Sequence, residues 1–149
     1  MTPTLGDRLV PLARSLLDPG ETLRGCCVAT QQSLLSGRMV AIVIADDRLI
    51  VQGLTRRFDP AGAAISLPPT RIADARIRGG GHGWATVGAM ILDTVSVRLE
   101  LRTIEGTRLA LTMMAAEGIL AGPAGGETQR TGVAALGRWF ADHAGDAPA

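Results

Sequence analysis

The sequence lacks lysine and tyrosine, and aromatic residues make up only 3% of its 149 residues. Proteins that bind single-stranded nucleic acid combine a basic groove with aromatic side chains on which bases stack, so this scarcity argues against such a partner. All 15 basic residues are arginine, and the net charge of +1 gives no overall attraction to nucleic acid or anionic lipid. Arginine suits phosphate, but these arginines are scattered along the sequence, which favours a GC-rich coding sequence as their origin.

Long apolar segments are also missing. The longest unbroken apolar run covers residues 39–45, far short of the ~18 residues that a membrane-spanning helix needs. The N-terminus shows no basic segment followed by an apolar one, which a signal peptide requires. We therefore expect no transmembrane segment, no signal peptide and a cytoplasmic location.

Cysteine and histidine are too few for a metal centre. Cys26 and Cys27 are adjacent, and neighbouring residues of a strand point to opposite faces, so we expect two free thiols in a reducing compartment. A catalytic zinc site takes about three protein ligands, and neither His82 nor His143 has a second histidine at a suitable spacing. We expect no metal and no cofactor, and a solvent-facing His143 on the last helix.

Motifs for nucleotide binding and catalysis are absent. A Gly-x-Gly-x-x-Gly loop that begins at Gly81 would need a third glycine where Thr86 stands, and a Walker loop would need lysine. The Gly-x-Ser-x-Gly motif that carries a nucleophilic serine is missing. The pair Asp46 and Asp47 is explained by turn chemistry and not by catalysis. We therefore predict that the protein is not an enzyme.

Short strands dominate what is present. Two β-branched runs flank Asp46 and Asp47 within residues 40–54, which predicts a buried hairpin. Apolar and polar residues alternate over residues 95–102, and the apolar positions resume at 109–113 after a turn at Gly106, which predicts a half-buried hairpin. Further strands are predicted at residues 23–30, at 65–67, where Pro68 ends the strand, and at 72–78, with an arginine-bearing face.

A helix is predicted at each end of the sequence. Leucines at positions 5, 9, 12 and 16 form a helical stripe, which predicts a helix over residues 7–17 with Asp7 at its cap and Pro11 in about its first turn. Residues 128–143 place Val133, Leu136 and Phe140 on one face, with Trp139 beside them, and leave charged residues to face outward.

Residues 79–93 combine a glycine-rich beginning with an apolar end. Periodicity does not decide between a strand, a short helix and a mobile arm for this segment. Its apolar side chains are costly to leave in water, so they either cover the protein's own sheet or enter another chain. The candidate partner-binding residues of this segment are His82, Trp84, Val87, Met90 and Ile91.

With these elements in order, the sequence resembles the bacterial pleckstrin-homology-like (PH-like, GRAM-related) domains. The resemblance is found at residues 17–23, 44–51, 67–74 and 99–112, and in the closing helix with Trp139. It implies a single domain over residues 1–149 of mainly β (α+β) class. About seven antiparallel strands would form a two-sheet barrel or sandwich with a β core at 23–114. The helix at 128–143 would cap its open end, and the helix at 7–17 would pack outside.

PH-like domains bind lipids, peptides and proteins, so the resemblance implies binding and not catalysis. We expect a non-enzymatic cytoplasmic interaction or scaffold module that acts through protein–protein contacts, including self-association into a homo-oligomer. The alternative is peripheral binding of anionic lipid or a phosphate-bearing ligand through Arg38, Arg56 and Arg57. Membrane-surface binding should be weak or absent, because so few basic residues contribute only about 1 kcal/mol each.

Overall fold

A computed structural model of the protein describes residues 5–32, 37–87, 90–117 and 126–143. Its elements, in chain order, are α1 (Leu5–Leu16), β1 (Leu23–Gln32), β2 (Gly37–Ala45), β3 (Leu49–Gly53), β4 (Ile65–Leu67), a 3-10 turn (Pro69–Arg71), β5 (Ile72–Val87), β6 (Met90–Thr103), β7 (Arg108–Glu117) and α2 (Gly126–His143). The described strands form one antiparallel seven-stranded sheet in the order β4-β3-β2-β1-β7-β6-β5. The predicted fold class, mainly β with a helix at each end, is confirmed.

The sheet consists of two parts that meet at one corner. The strands β1 to β4 form one meander and β5 to β7 form the other. The two meanders are joined by pairing between β1 and β7, where the described residues pair Thr30 with Thr112 and Gln31 with Leu111. The sheet therefore curls into a half-barrel, and α2 packs mainly against β1 and β7 at its open side.

The two meanders differ in how many of their faces are buried. One face of β1 to β3 contributes Val40, Ile42 and Ile44 to the main core, together with Leu136 and Trp139 of α2. The opposite face packs against α1, in a second cluster that contains Leu9, Ala13, Cys26, Val43 and Ile50. Because both faces of β2 are covered, its residues 39–45 form a continuous apolar run. In β6 and β7 only alternate residues are buried, which explains the alternating pattern there.

Both helices differ slightly from their predicted bounds. Because α1 begins at Leu5, Asp7 lies inside the helix instead of capping it, and Pro11 lies well past the first turn. Pro11 is exposed while Leu9 and Ala13 are buried, so packing against the sheet offsets the cost of an interior proline. In α2 charged residues face outward as predicted, since Arg130, Arg138 and Asp142 are exposed.

Residues 79–93, for which several conformations were open, extend the β5–β6 hairpin as far as they are described. Val87 pairs with Met90 at the end of this hairpin, and Trp84 pairs with Asp93. The register shifts between Gly79 and Gly81, as expected where a glycine allows a bulge. The strands are therefore longer here than predicted, because the glycines at 79–83 are accommodated within β5.

Candidate functional site

The strand β5 lies at one end of the sheet and has a long open edge. It spans Ile72–Val87, and among the described strands it pairs with β6 alone. At the other end of the sheet, β4 has only three residues, Ile65–Leu67. An unpaired edge presents backbone N–H and C=O groups that can pair with another extended chain. Such a pairing site is therefore much longer on β5 than on β4.

A groove runs between the β5 edge and the C-terminal end of α2. Its volume is about 380 Å³ and its lining is mainly apolar. The lining includes Ile72, Asp74, Ala75 and Ile77 of β5, and Trp139, Phe140 and His143 of α2. Ile77 is 39% exposed, so its side chain is accessible from the groove. The groove is thus suited to apolar side chains of a chain lying along β5.

Trp139 forms part of the groove wall and has an unpartnered donor. The side chain is 4% exposed, and its indole Nε1–H finds no acceptor within the described part of the chain. A buried N–H group normally has a hydrogen-bond partner. Because the Nε1 atom is itself buried, Trp139 offers the groove an apolar wall and not an accessible donor.

The sequence predicts a solvent-facing His143, but in the structure this side chain is only partly exposed. Its ring lies 4.4 Å from the Trp139 ring, centroid to centroid, and its Nδ1 lies 2.8 Å from the Trp139 carbonyl oxygen. Because a carbonyl only accepts, His143 donates from Nδ1, which leaves Nε2 available to another group. The contact follows from helical geometry, since residues four apart share one face.

The outer face of the second meander is rich in arginine. Cross-strand register brings together side chains that are far apart in sequence. They are Asp74, Arg76 and Arg78 of β5, Arg98, Glu100 and Arg102 of β6, and Arg108 of β7. Arg78 lies opposite Arg98, and Arg102 lies opposite Arg108. The sequence indicates an arginine-bearing face on a single strand, but only the register shows that these residues form one surface, which we call the arginine face.

The predicted anion site, Arg38, Arg56 and Arg57, lies around the loop formed by residues 53–62. Arg38 donates from Nη2 to the Ala61 carbonyl at 3.2 Å, while Arg56 and Arg57 are exposed on the loop. Arg8 of α1 donates to the Arg57 carbonyl at 2.6 Å. The structure therefore brings these arginines to one loop, and adds Arg8 to them.

The structure describes the other predicted set, His82, Trp84, Val87, Met90 and Ile91, only through its backbone. All of these residues lie in the distal part of the β5–β6 hairpin, which places them beyond the groove on the same open strand and its neighbour. Their role in partner binding stays a prediction.

The two cysteines are free and buried, as predicted. Burial raises the pKa of Cys26 to about 11 and raises the pKa of Cys27 further. Both thiols are therefore protonated and weakly nucleophilic near neutral pH. Among residues whose side chains are described, no group of three potential metal ligands comes together, and no described helix is both long and apolar enough to cross a bilayer.

No protein-family model and no curated protein matches this chain. Among solved structures, it is similar to the C-terminal domain of an unknown protein from Leishmania infantum, with a TM-score of 0.45, 15% identity, and coverage of 89% of this chain and 93% of that one. It is also similar to the hSac2 domain from human phosphoinositide phosphatase Sac2, with a TM-score of 0.50, 13% identity, and coverage of 99% and 87% respectively. At such identity the second likeness concerns the fold alone.

Proposed function

We propose that this chain is a non-enzymatic cytoplasmic interaction module of PH-like type, which binds an extended segment of another protein by strand addition to the β5 edge. The observation behind the proposal is the position of the long open edge directly beside the apolar groove. In strand addition, backbone hydrogen bonds supply affinity and pockets for alternate side chains supply specificity. The open edge and the apolar groove supply these two elements here.

Selection from a phage-displayed random peptide library on the immobilised protein tests this proposal. Selected peptides should shift the backbone amide resonances of residues 72–78 and protect from hydrogen exchange those amides that point to the open edge. Ile77→Asp should abolish binding, because it places a carboxylate in the apolar groove. Ile104→Asp is the matched control: Ile104 is 59% exposed, does not line the groove, and should tolerate the change.

The proposal fails if selected peptides contact a different surface, or if no peptide is enriched over a blank support. Light scattering on the protein alone tests whether the occupant of the edge is a second copy of this chain. An oligomer would mean that the protein self-associates by the same strand addition. In that case Ile77→Asp should convert the oligomer into a folded monomer.

A second candidate function is binding of a phosphate-bearing ligand at the loop of residues 53–62. It is favoured by the approach of Arg8 to the loop that holds Arg56 and Arg57. The fold likeness to a domain of a phosphoinositide phosphatase gives it no residue-level support at 13% identity. Pelleting with vesicles that contain phosphoinositide, using Arg56→Glu/Arg57→Glu as the variant, tests it. Equal pelleting of both proteins would contradict it.

A further inference from the structure

We infer that the segment bound at β5 has acidic side chains at alternate positions, with apolar side chains between them. This inference rests on the proposed function, since it assumes that an extended chain pairs with the β5 edge. It concerns the chemistry of the partner, which neither the edge nor the groove specifies alone.

The two faces of β5 differ beside the open edge. Ala75 and Ile77 point toward the groove, whereas Arg76 and Arg78 point to the opposite face and are exposed. An added strand has the same period of two residues, so its side chains alternate between these two faces. Residues opposite Ala75 and Ile77 therefore meet an apolar surface, and residues opposite Arg76 and Arg78 meet guanidinium groups.

The existing sheet leaves these guanidinium groups without carboxylate partners. Arg78 lies opposite Arg98, another cation. Arg76 lies opposite Glu100, but the Oε1 atom of Glu100 lies 3.1 Å from the Arg98 Nε atom. Within the described part of the chain, neither Arg76 nor Arg78 forms an ion pair. Like charges that face each other across strands are destabilising, and opposite charges are stabilising. A carboxylate on an added strand would supply the missing charge.

The same arrangement gives a second copy of this chain incomplete charge complementarity as the occupant. Among the β5 side chains that the structure describes, the outward ones beside the edge are Asp74, Arg76 and Arg78, so two such segments would bring four arginines and two aspartates together. Charged side chains on an edge also prevent unwanted pairing of this kind. Charge complementarity therefore favours a partner segment that is acidic on its outward face.

Synthetic peptides test the inference. The probes are a capped peptide in which glutamate alternates with valine, and two analogues in which every glutamate is replaced by glutamine or by lysine. Affinity is measured by fluorescence anisotropy at low and at physiological salt. With two favourable cross-strand pairs, the glutamate peptide should bind roughly tenfold more tightly than the glutamine peptide. The lysine peptide should bind most weakly, and these differences should shrink as salt is added.

The variant Arg76→Gln/Arg78→Gln should remove the preference for glutamate and leave binding of the glutamine peptide unchanged. The variant Arg102→Gln/Arg108→Gln is the matched control, because it makes the same charge change on the same face but away from the edge. It should keep the preference. Thermal melts of both variants confirm that they are folded.

The outcomes separate this inference from the proposed function. If all three peptides bind equally, and Ile77→Asp abolishes their binding, the strand-addition site is supported and the acidic partner is refuted; Arg76 and Arg78 then act only against self-pairing. If both double variants lose the preference equally, the whole arginine face attracts anions and the inference of alternate positions is overturned. If no peptide binds at millimolar concentration, the proposed function itself fails.

Discussion

The strands β1 and β5 both have a length of edge without a strand partner, but α2 covers the edge of β1 and leaves that of β5 open. Beyond its two pairs with β7, β1 meets the helix: Gln129 accepts a hydrogen bond from the Val28 N–H and donates one to the Val28 carbonyl, both at 2.8 Å. Its side-chain amide thus replaces a neighbouring strand. On β5 no described strand pairs with the outer edge.

The difference shows how much specific chemistry is needed to cover an edge internally. The helix comes so close that a Cβ atom at Gly132 would lie 2.0 Å from the Cys26 carbonyl oxygen. The covered edge therefore requires both a glycine and a buried amide at fixed positions. The open edge has apolar residues on one side and arginines on the other, features that suit a partner from outside.

Breaking the close approach at Gly132 should have the largest effect. Gly132→Ala forces α2 away from β1, and overpacking of this severity should lower the free energy of unfolding by roughly 3 kcal/mol. Gly137→Ala is the control in the same helix: nothing lies within 4 Å of its added Cβ atom, so helix propensity alone should raise stability by up to ~1 kcal/mol. Denaturant unfolding measures both. Equal stability of the two variants would contradict the role of Gly132.

Removing the amide that replaces a strand should have the next largest effect. Gln129→Ala leaves the Val28 N–H and carbonyl buried without these bonds, which should cost roughly 2 kcal/mol. Arg130→Ala, at the neighbouring exposed position, should change stability by less than about 0.5 kcal/mol. Hydrogen exchange adds a local measurement, because the Val28 amide should lose protection only in the Gln129 variant. Retained protection there would show that water or another group replaces the amide.

The ion pair between Glu21 and Arg48, just before β1, should make the free energy of unfolding depend on pH. The Glu21 carboxylate lies 2.5 Å from the Arg48 Nη2 atom, and hydrogen bonds from Arg48 lower its pKa from 4.5 to about 2. A lowered pKa stabilises the folded state above pH 4.5, and this contribution is lost as the pH falls toward 2.

After allowance for solvent screening, we expect Glu21→Gln to cost on the order of 1 kcal/mol at pH 7. The difference from the wild type should vanish near pH 2. Unfolding curves measured between these pH values check this expectation. A difference that stays constant with pH would mean that the carboxylate charge is not responsible.

The open edge should be the least sensitive to substitution. Ile77→Thr should change stability by less than about 1 kcal/mol, because this side chain is already partly in water. Leu99 lies opposite Ile77 on β6 but is only 1% exposed, and Leu99→Thr should cost several times more. If both variants are equally destabilised, the groove beside Ile77 is filled by the protein itself.

Local patterns predicted most of the fold. Strict alternation located the β6–β7 hairpin, and Pro68 fixed the end of β4. The paired aspartates marked the turn between β2 and β3 correctly. In each case the signal lies within a few neighbouring residues, where strand periodicity and turn chemistry act directly.

The sequence did not reveal which sheet edge is covered and which is left open, because that depends on contacts between residues far apart in the chain. Gly132 appears only as a poor helix former, and Gln129 appears only as a polar residue of α2. The arginine face depends on register across three strands. The groove depends on where the last turn of α2 meets β5. These features follow from tertiary structure, which sequence periodicity does not encode.

The corner between β1 and β7 has a consequence for folding. Each meander forms from contacts between neighbouring segments, but Val28 and Gln129 are 101 residues apart in the chain. Contacts of high sequence separation pay a large entropy of loop closure and tend to form late. In pulse-labelling experiments, we therefore expect amide protection in β2 and β3 to precede that of Val28. During synthesis on the ribosome, β1 remains uncovered until α2 has emerged, and for that time the nascent chain has two edges open to other chains.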